Sequence, residues 1–226
     1  IPTGADLVQS ALADSLAKLG GNVTGLSVLE ENLSGKRLEL FKEAFPKASQ
    51  VGYLWNPSAV PYSSSRGSTS ENPSFAQAKA LAHAVALQLR PYQVRTPDEI
   101  EEAFAEMSKA RPDALLVILS PLITLNSRRI VERALEQRLP GVYPTRQFAE
   151  EGGLMAYGPL TSEMYRRAAS YVDKILRGAK PAELPVEQPT KFDFIINLRT
   201  AKQIGVTIPP NVLARADRVT RGQHQA

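Results

Sequence analysis

The sequence predicts an α/β fold built on a doubly wound parallel sheet, and three observations carry that prediction. Short apolar runs rich in strand formers alternate with helical segments from residue 51 to 157. Helix-start chemistry stands at the junctions, at Asn72-Pro73, Thr96-Pro97 and Thr145. The run "ALLVIL" (114–119) is apolar at every position, as a central parallel strand covered on both faces requires.

Taken in order, "VGYLW" (51–55) is the first strand of this series. Asn72 caps the next helix, Pro73 takes its first position, and Phe75, Ala78, Ala82, Val85 and Leu89 form its stripe. "RPYQV" (90–94) reads as a strand whose proline marks its start. In "TPDE" (96–99), Thr96 is the cap and Glu99 closes a capping box ahead of Ile100, Phe104 and Met107. After "ALLVIL", Asn126 caps a helix with Ile130, Val131, Ala134 and Leu135 inside. "GVY" (141–143) is a strand, and Thr145 caps a short helix ending at Gly152-Gly153. "LMAY" (154–157) is the fifth strand.

The flanks follow the alternation less closely. Residues 6–19 read as a helix, and Ser34 caps another holding Leu38, Phe41 and Phe45. Thr161 or Ser162 opens a long helix over 161–177, with Tyr165, Ala168, Ala169, Val172, Ile175 and Leu176 on one face. "AKPAELPVEQPT" (179–190) is an extended, proline-punctuated connector. "FDFIINL" (192–198) is a strand, Thr200–Ile204 a helical turn, and the tail after Arg221 is expected to be disordered. No strand precedes the first helix, so the chain is expected to enter its fold partway through.

Composition narrows the function classes. The chain is 43% hydrophobic and 22% charged, so it can bury a core and does not read as disordered. Its net charge of +4 comes from 27 basic residues scattered among 23 acidic ones, which argues against a nucleic-acid surface. The basic pairs Arg128-Arg129 and Arg166-Arg167 read as solvated helix faces. The absence of cysteine removes disulfides, thiol nucleophiles and thiolate metal sites. His83 lies mid-helix and His224 in the tail, so neither a metal pair nor a Ser/His dyad is offered. "GGNVTG" (20–25) follows a helix instead of a strand, which makes it a helix end and not a phosphate loop. No cofactor and no metal is expected, and no run reaches the length of a membrane span.

In open parallel sheets, ligands sit outside the carboxyl ends of the strands. Those ends carry Asn56, Ser120 and Tyr157, and the loop "NPSAVPYSSSRGSTSENPSF" (56–75) follows the first strand. The candidate ligand-binding residues are Asn56, Ser58, Ser70, Asn72, Ser74, Ser120 and Tyr157. Bland roles stand beside these: a turn for Asn56, a cap for Asn72, and core for Tyr157. Trp55 reads as core ahead of a stacking platform.

Six segments together carry a resemblance: "GGNVTGLS" (20–27), "LSGKRLELFKEAFP" (33–46), "VGYLWNP" (51–57), "EEGGLMAYGP" (150–159), 168–210 and "VLARADRV" (212–219). With them the chain resembles ABC transporter substrate-binding proteins of the TrpX-like family over nearly its whole length. The resemblance implies a class I periplasmic-binding-protein fold, with a small ligand, amino-acid-like, polar or aromatic, held between two lobes and no chemistry performed. It also implies an ABC permease as partner and an extracytoplasmic location. Residues 1–25 would be a remnant of the N-terminal lobe and 26–160 the C-terminal lobe. Residues 161–190 would be the crossover helix and connector, and 191–226 the return to the C-terminal lobe plus tail. Most of the N-terminal lobe seen in the family has no counterpart in this chain. The loop after "YLWNP" is also longer than usual, so either "NPS" (56–58) or "SENPS" (70–74) matches the family's ligand loop. Competing expectations are an enzyme on the same scaffold and a non-binding remnant that forms a homodimer.

Overall fold

The structure is a computed structural model that describes residues 2–3, 22–28, 30–57 and 73–220, with side chains at 2–3, 30–32 and 73–74 outside the description. The expected helix at 6–19 and the tail after Arg221 lie outside the described residues. Strands β1 (Pro2–Thr3) and β2 (Leu26–Ser27) come first, then helix α1 (Glu30–Ala44). An alternating series follows: β3 (Gln50–Trp55), α2 (Pro73–Ala84), β4 (Gln88–Gln93), α3 (Pro97–Ala110) and β5 (Ala114–Val117). Helices α4 (Pro121–Leu125) and α5 (Ser127–Glu136) lead to β6 (Gly141–Tyr143), α6 (Arg146–Glu150) and β7 (Met155–Pro159). Helix α7 (Thr161–Leu176), β8 (Phe192–Asn197), α8 (Leu198–Ile204), α9 (Pro210–Leu213) and β9 (Arg218–Thr220) complete the described chain.

The chain divides into two compact units. The larger holds a seven-stranded sheet in the order β4-β3-β5-β6-β7-β8-β9. The pairs from β4 to β7 are parallel, as is β8 with β9. Between β7 and β8 the direction reverses: Asn197 N–H donates to Leu154 C=O and Leu160 N–H to Lys191 C=O, so residue numbers run opposite ways. The α/β sheet is therefore mostly parallel, as its alternating sequence requires. Its core gathers Leu54, Leu115, Val117, Tyr143 and Ala156 of the sheet with Ile100, Phe104, Ile130, Val131 and Phe148 of the helices.

Local chemistry differs from expectation at several junctions. Thr96 Oγ1 accepts from Glu99 N–H at 3.3 Å, but the Glu99 carboxylate takes Arg95 N–H at 2.8 Å, so the capping box closes one residue early. Pro91 sits in the middle of β4 and not at its start. The edge position permits this, since among the described residues no strand lies beyond β4 to need the missing N–H. Helix α2 stops at Ala84, where Ala86 turns left-handed (φ 54°), which puts Leu89 into β4 and not into the helical stripe. Ser34 lies inside α1, buried, and does not cap it. Asn126 makes no cap bond to α5; its side-chain amide donates back to Leu122 C=O at 2.8 Å.

In the smaller unit β1 and β2 pair in parallel, and the connector is stitched to β2. Ser27 N–H donates to Glu187 C=O and Glu187 N–H to Gly25 C=O, at 2.9 and 3.0 Å. Helix α7 packs on β1 and β2, but through a different face from the one its sequence suggests. Met164 and Tyr171 are buried, whereas Tyr165, Val172 and Leu176 are 64%, 55% and 82% exposed. Helix α7 carries two adjacent apolar stripes, and periodicity does not say which one is covered. Its N-cap is Leu160, not Thr161 or Ser162, and no side chain caps it.

Candidate functional site

The order of strands in the larger sheet defines one special edge. From β3 the chain crosses to β4 on one side, then returns past β3 to β5 on the other. The loops after β3 and β5 therefore diverge, which makes a switch point at the carboxyl ends of these strands, where open α/β sheets form their ligand crevice. The ends of β6 and β7 continue the same edge. With strands about 4.8 Å apart, the four strand ends span about 14 Å along this edge.

Asn56 follows β3 directly and is half-buried. Ser120 is buried, and its Oγ accepts from Ile123 N–H at 3.2 Å, so it caps α4. Tyr157 is half-buried on β7, with its ring edge-on to Phe194 at 6.4 Å between centroids. The fold thus brings Asn56, Ser120 and Tyr157 to one sheet edge. Ser58, Ser70 and Asn72 lie outside the described residues. Ser74 lies in the first turn of α2, its side chain outside the description.

Three further residues belong to this edge. Arg37 is fully buried on α1; its Nε donates to Tyr157 C=O at 2.8 Å and a terminal nitrogen to Pro144 C=O at 3.4 Å. One guanidinium thereby ties the ends of β6 and β7 together. Its signal in the sequence is a charge on a helical stripe that otherwise reads Leu33, Leu38, Phe41, Ala44. Gly158 presses on the same spot, where an added Cβ would fall 1.9 Å from Pro144 O. Thr145 takes the extended backbone of a helix cap, yet its hydroxyl makes no cap bond to α6 and is buried without a partner. Trp55, the last residue of β3, is likewise buried, and its indole Nε1 has no partner.

Several other charges are engaged in structure. Arg146 forks onto Asp193 through Nε and a terminal nitrogen. Arg128 pairs with Glu132, Arg129 and Arg133 with Glu101, Arg166 with Glu163 and Arg167 with Glu187. Burial disfavours the Asp113 carboxylate. The N–H groups of Gln50 and Ser49 and the Ser49 hydroxyl outweigh this and hold its pKa below the usual value. Burial pushes the Tyr143 hydroxyl well above its ordinary pKa. Among the described residues no group of three or more acidic or histidine side chains is placed to hold a metal. No described helix is long and apolar enough to cross a membrane.

Other recesses lie elsewhere. An open groove of about 1380 Å³ is lined by Gly152, Asn197, Arg199, Lys202, Arg218 and neighbours. Because β8 runs antiparallel to β7, this groove lies at the sheet end opposite the switch point. In the smaller unit a recess of about 200 Å³ is lined by Glu163, Met164, Arg167, Glu187 and Lys191 among others.

Comparison with known proteins agrees with this geometry. The family model described as ABC transporter substrate binding protein matches residues 1–220. A tyrosine-binding protein of Clostridioides difficile (strain R20291) is 27% identical over 203 residues, 88% of this chain and 54% of that protein. The chain thus spans about half the length of that curated relative. An ABC domain from Streptococcus pneumoniae, solved in complex with L-Trp, superposes with a TM-score of 0.80 at 27% identity, covering 97% of this chain and 73% of that one. A conserved domain protein from Vibrio cholerae O1 biovar El Tor shares the fold, with a TM-score of 0.81 at 24% identity over 96% and 69% of the two chains. With its sheet, its switch point and a family match over nearly every residue, the chain belongs to the ABC transporter substrate binding proteins.

Proposed function

We propose that this chain is the solute-binding component of an ABC importer and holds an amino-acid-like metabolite, polar or aromatic, without altering it chemically. The observation that carries this reading is the switch point between β3 and β5, which gathers the loops bearing Asn56, Ser120 and Tyr157 at one sheet edge. The tyrosine-binding and L-Trp-bound relatives favour aromatic amino acids as the first ligands to test. In this reading Asn56, Ser58, Ser70, Asn72, Ser74, Ser120 and Tyr157 line the ligand site. Residues 1–25 belong to an N-terminal lobe, 26–160 and 191–226 to a C-terminal lobe, and 161–190 link them. Function then consists of binding, closure over the ligand and presentation to a membrane permease outside the cytoplasm.

A thermal-shift screen of amino acids and small carboxylates tests it. A ligand present at a hundredfold its Kd adds about 2.7 kcal/mol, which for a chain of this size raises Tm by roughly 5–10 °C. A screen in which no amino acid or carboxylate raises Tm refutes the reading. A second reading, self-association, is favoured by the exposed stripe Tyr165, Val172 and Leu176 on α7.

A further inference from the structure

Among the described residues four buried side-chain atoms lack a hydrogen-bond partner: Trp55 Nε1, Tyr92 OH, Thr145 Oγ1 and Glu151 Oε2. Buried polar groups are paired as a rule, so each exception asks for a reason. Glu151 has one through its other oxygen, which accepts from Ser127 and Gln147. Tyr92 pairs with Leu54 on the edge strand, but its ring leans back along the sheet over Gly52 and under the Arg90 guanidinium. Trp55 and Thr145 are different, because both stand at the carboxyl edge of the sheet, Trp55 as the last residue of β3 and Thr145 just beyond the end of β6, the two strands that flank β5.

Register brings the two close. Leu54 pairs with Val117, and Leu116 with Val142. Continued by one residue, the first ladder sets Trp55 opposite Ile118; continued by two, the second sets Pro144 opposite the same Ile118, with Thr145 next along. The two backbone positions are about two strand spacings apart, some 10 Å, a span that one metabolite bridges. Thr145 is also an exception to a local rule. Thr96, Ser120 and Asn197 each cap the helix they precede, whereas Thr145 has the cap conformation and withholds its hydroxyl.

We propose that Trp55 Nε1–H and Thr145 Oγ1 are ligand-recognition groups, unpaired here because the ligand is their partner. The inference rests on the solute-binding reading and sharpens it. An indole N–H only donates, so the ligand presents an acceptor to Trp55, a carboxylate or carbonyl oxygen. A hydroxyl accepts and donates, so Thr145 takes a second polar group of either kind. Amines without a carboxylate leave the Trp55 donor stranded and bind poorly. Both atoms are buried in this conformation.

The test uses the full chain with L-tyrosine and L-tryptophan as probes, followed by calorimetry. The L-tyrosine titration is also followed by red-edge emission of the single tryptophan. Trp55→Phe and Thr145→Val are each expected to weaken binding about 10-fold or more, with Thr145→Ser restoring it. The parent should prefer L-tyrosine over tyramine, which lacks the carboxylate, and Trp55→Phe should erase that preference. Thr145→Val should leave the Tm of the free protein unchanged or raised, since it removes an unpaired hydroxyl. Variants that bind like the parent overturn the assignment, as does a lowered Tm for free Thr145→Val, which would mean that the hydroxyl is paired. A parent chain that binds neither amino acid refutes instead the proposed function and, with it, this ligand class.

Discussion

Replacing Gly158 by alanine tests whether the carboxyl edge is held as tightly as its geometry indicates. The new Cβ would lie 1.9 Å from Pro144 O and 3.0 Å from Pro144 C, and real Cβ contacts are essentially never under 3.0 Å. The ends of β6 and β7 must therefore separate by at least about 1 Å. Ladder pairing at Val142–Met155 and Tyr143–Ala156 resists this, as do the two Arg37 hydrogen bonds. Overpacking costs about 1–3 kcal/mol, and the obstacle here is backbone, not the end of a flexible side chain, so the upper figure applies. With a urea m-value of a few kcal/mol per molar, the unfolding midpoint should fall by about 1 M. Gly205→Ala is the control, because Gly205 has φ +79° and nothing within 4 Å of an added Cβ. It meets conformational strain of about 1 kcal/mol without a clash. A Gly158→Ala midpoint that matches the parent, or falls no further than Gly205→Ala, would refute the close-approach argument.

Two further outcomes follow from surface features. Asp113 accepts from Ser49 N–H at 2.7 Å and Gln50 N–H at 2.9 Å, tying the start of β3 to that of β5. Asp113→Ala should cost about 1 kcal/mol, discounted for exposure. Its folded pKa lies below the unfolded one, so this stabilisation is complete above the usual carboxylate range. It fades as pH falls through the lowered value, and the parent–variant difference in urea unfolding should shrink below about pH 4. On α7, Val172→Glu places a charge in the exposed stripe of Tyr165 and Leu176. Light scattering behind size-exclusion chromatography should show the parent associating with rising concentration and the variant not. A parent that stays monomeric throughout counts against self-association.

Much of the sheet was legible because its cause is local. The runs at 51–55 and 141–143, and 114–117 of the run at 114–119, are strands because apolar, strand-forming residues stand between caps and prolines that define their ends. Features that depend on distant partners were not legible. The reversal at β8 is one, since the direction of a strand is set by its path back to the sheet. Helix α7 packs on β1 and β2, so the link from β7 to β8 is no right-handed crossover and the parallel rule does not bind it. Choice between the two stripes of α7 is another, because both have helical spacing and only the covering element tells them apart.

The same division explains the candidate site. Asn56, Ser120 and Tyr157 are candidates by position alone, as residues at or after strand ends, and that reasoning does not depend on what the side chains bond. Arg37 escaped it because it acts from a helix behind the edge, although an arginine on an apolar stripe is a readable anomaly. Thr145 escaped it for the opposite reason, since a threonine before a short helix looks fully explained as a cap. Ser120 satisfies that explanation with a bond to Ile123 N–H, and Thr145 does not. When two residues meet the same sequence rule at neighbouring strand ends and one declines its local bond, the local rule no longer accounts for that residue. Its hydroxyl is then free for a partner outside the chain, at the edge where Trp55 also holds an unpaired donor.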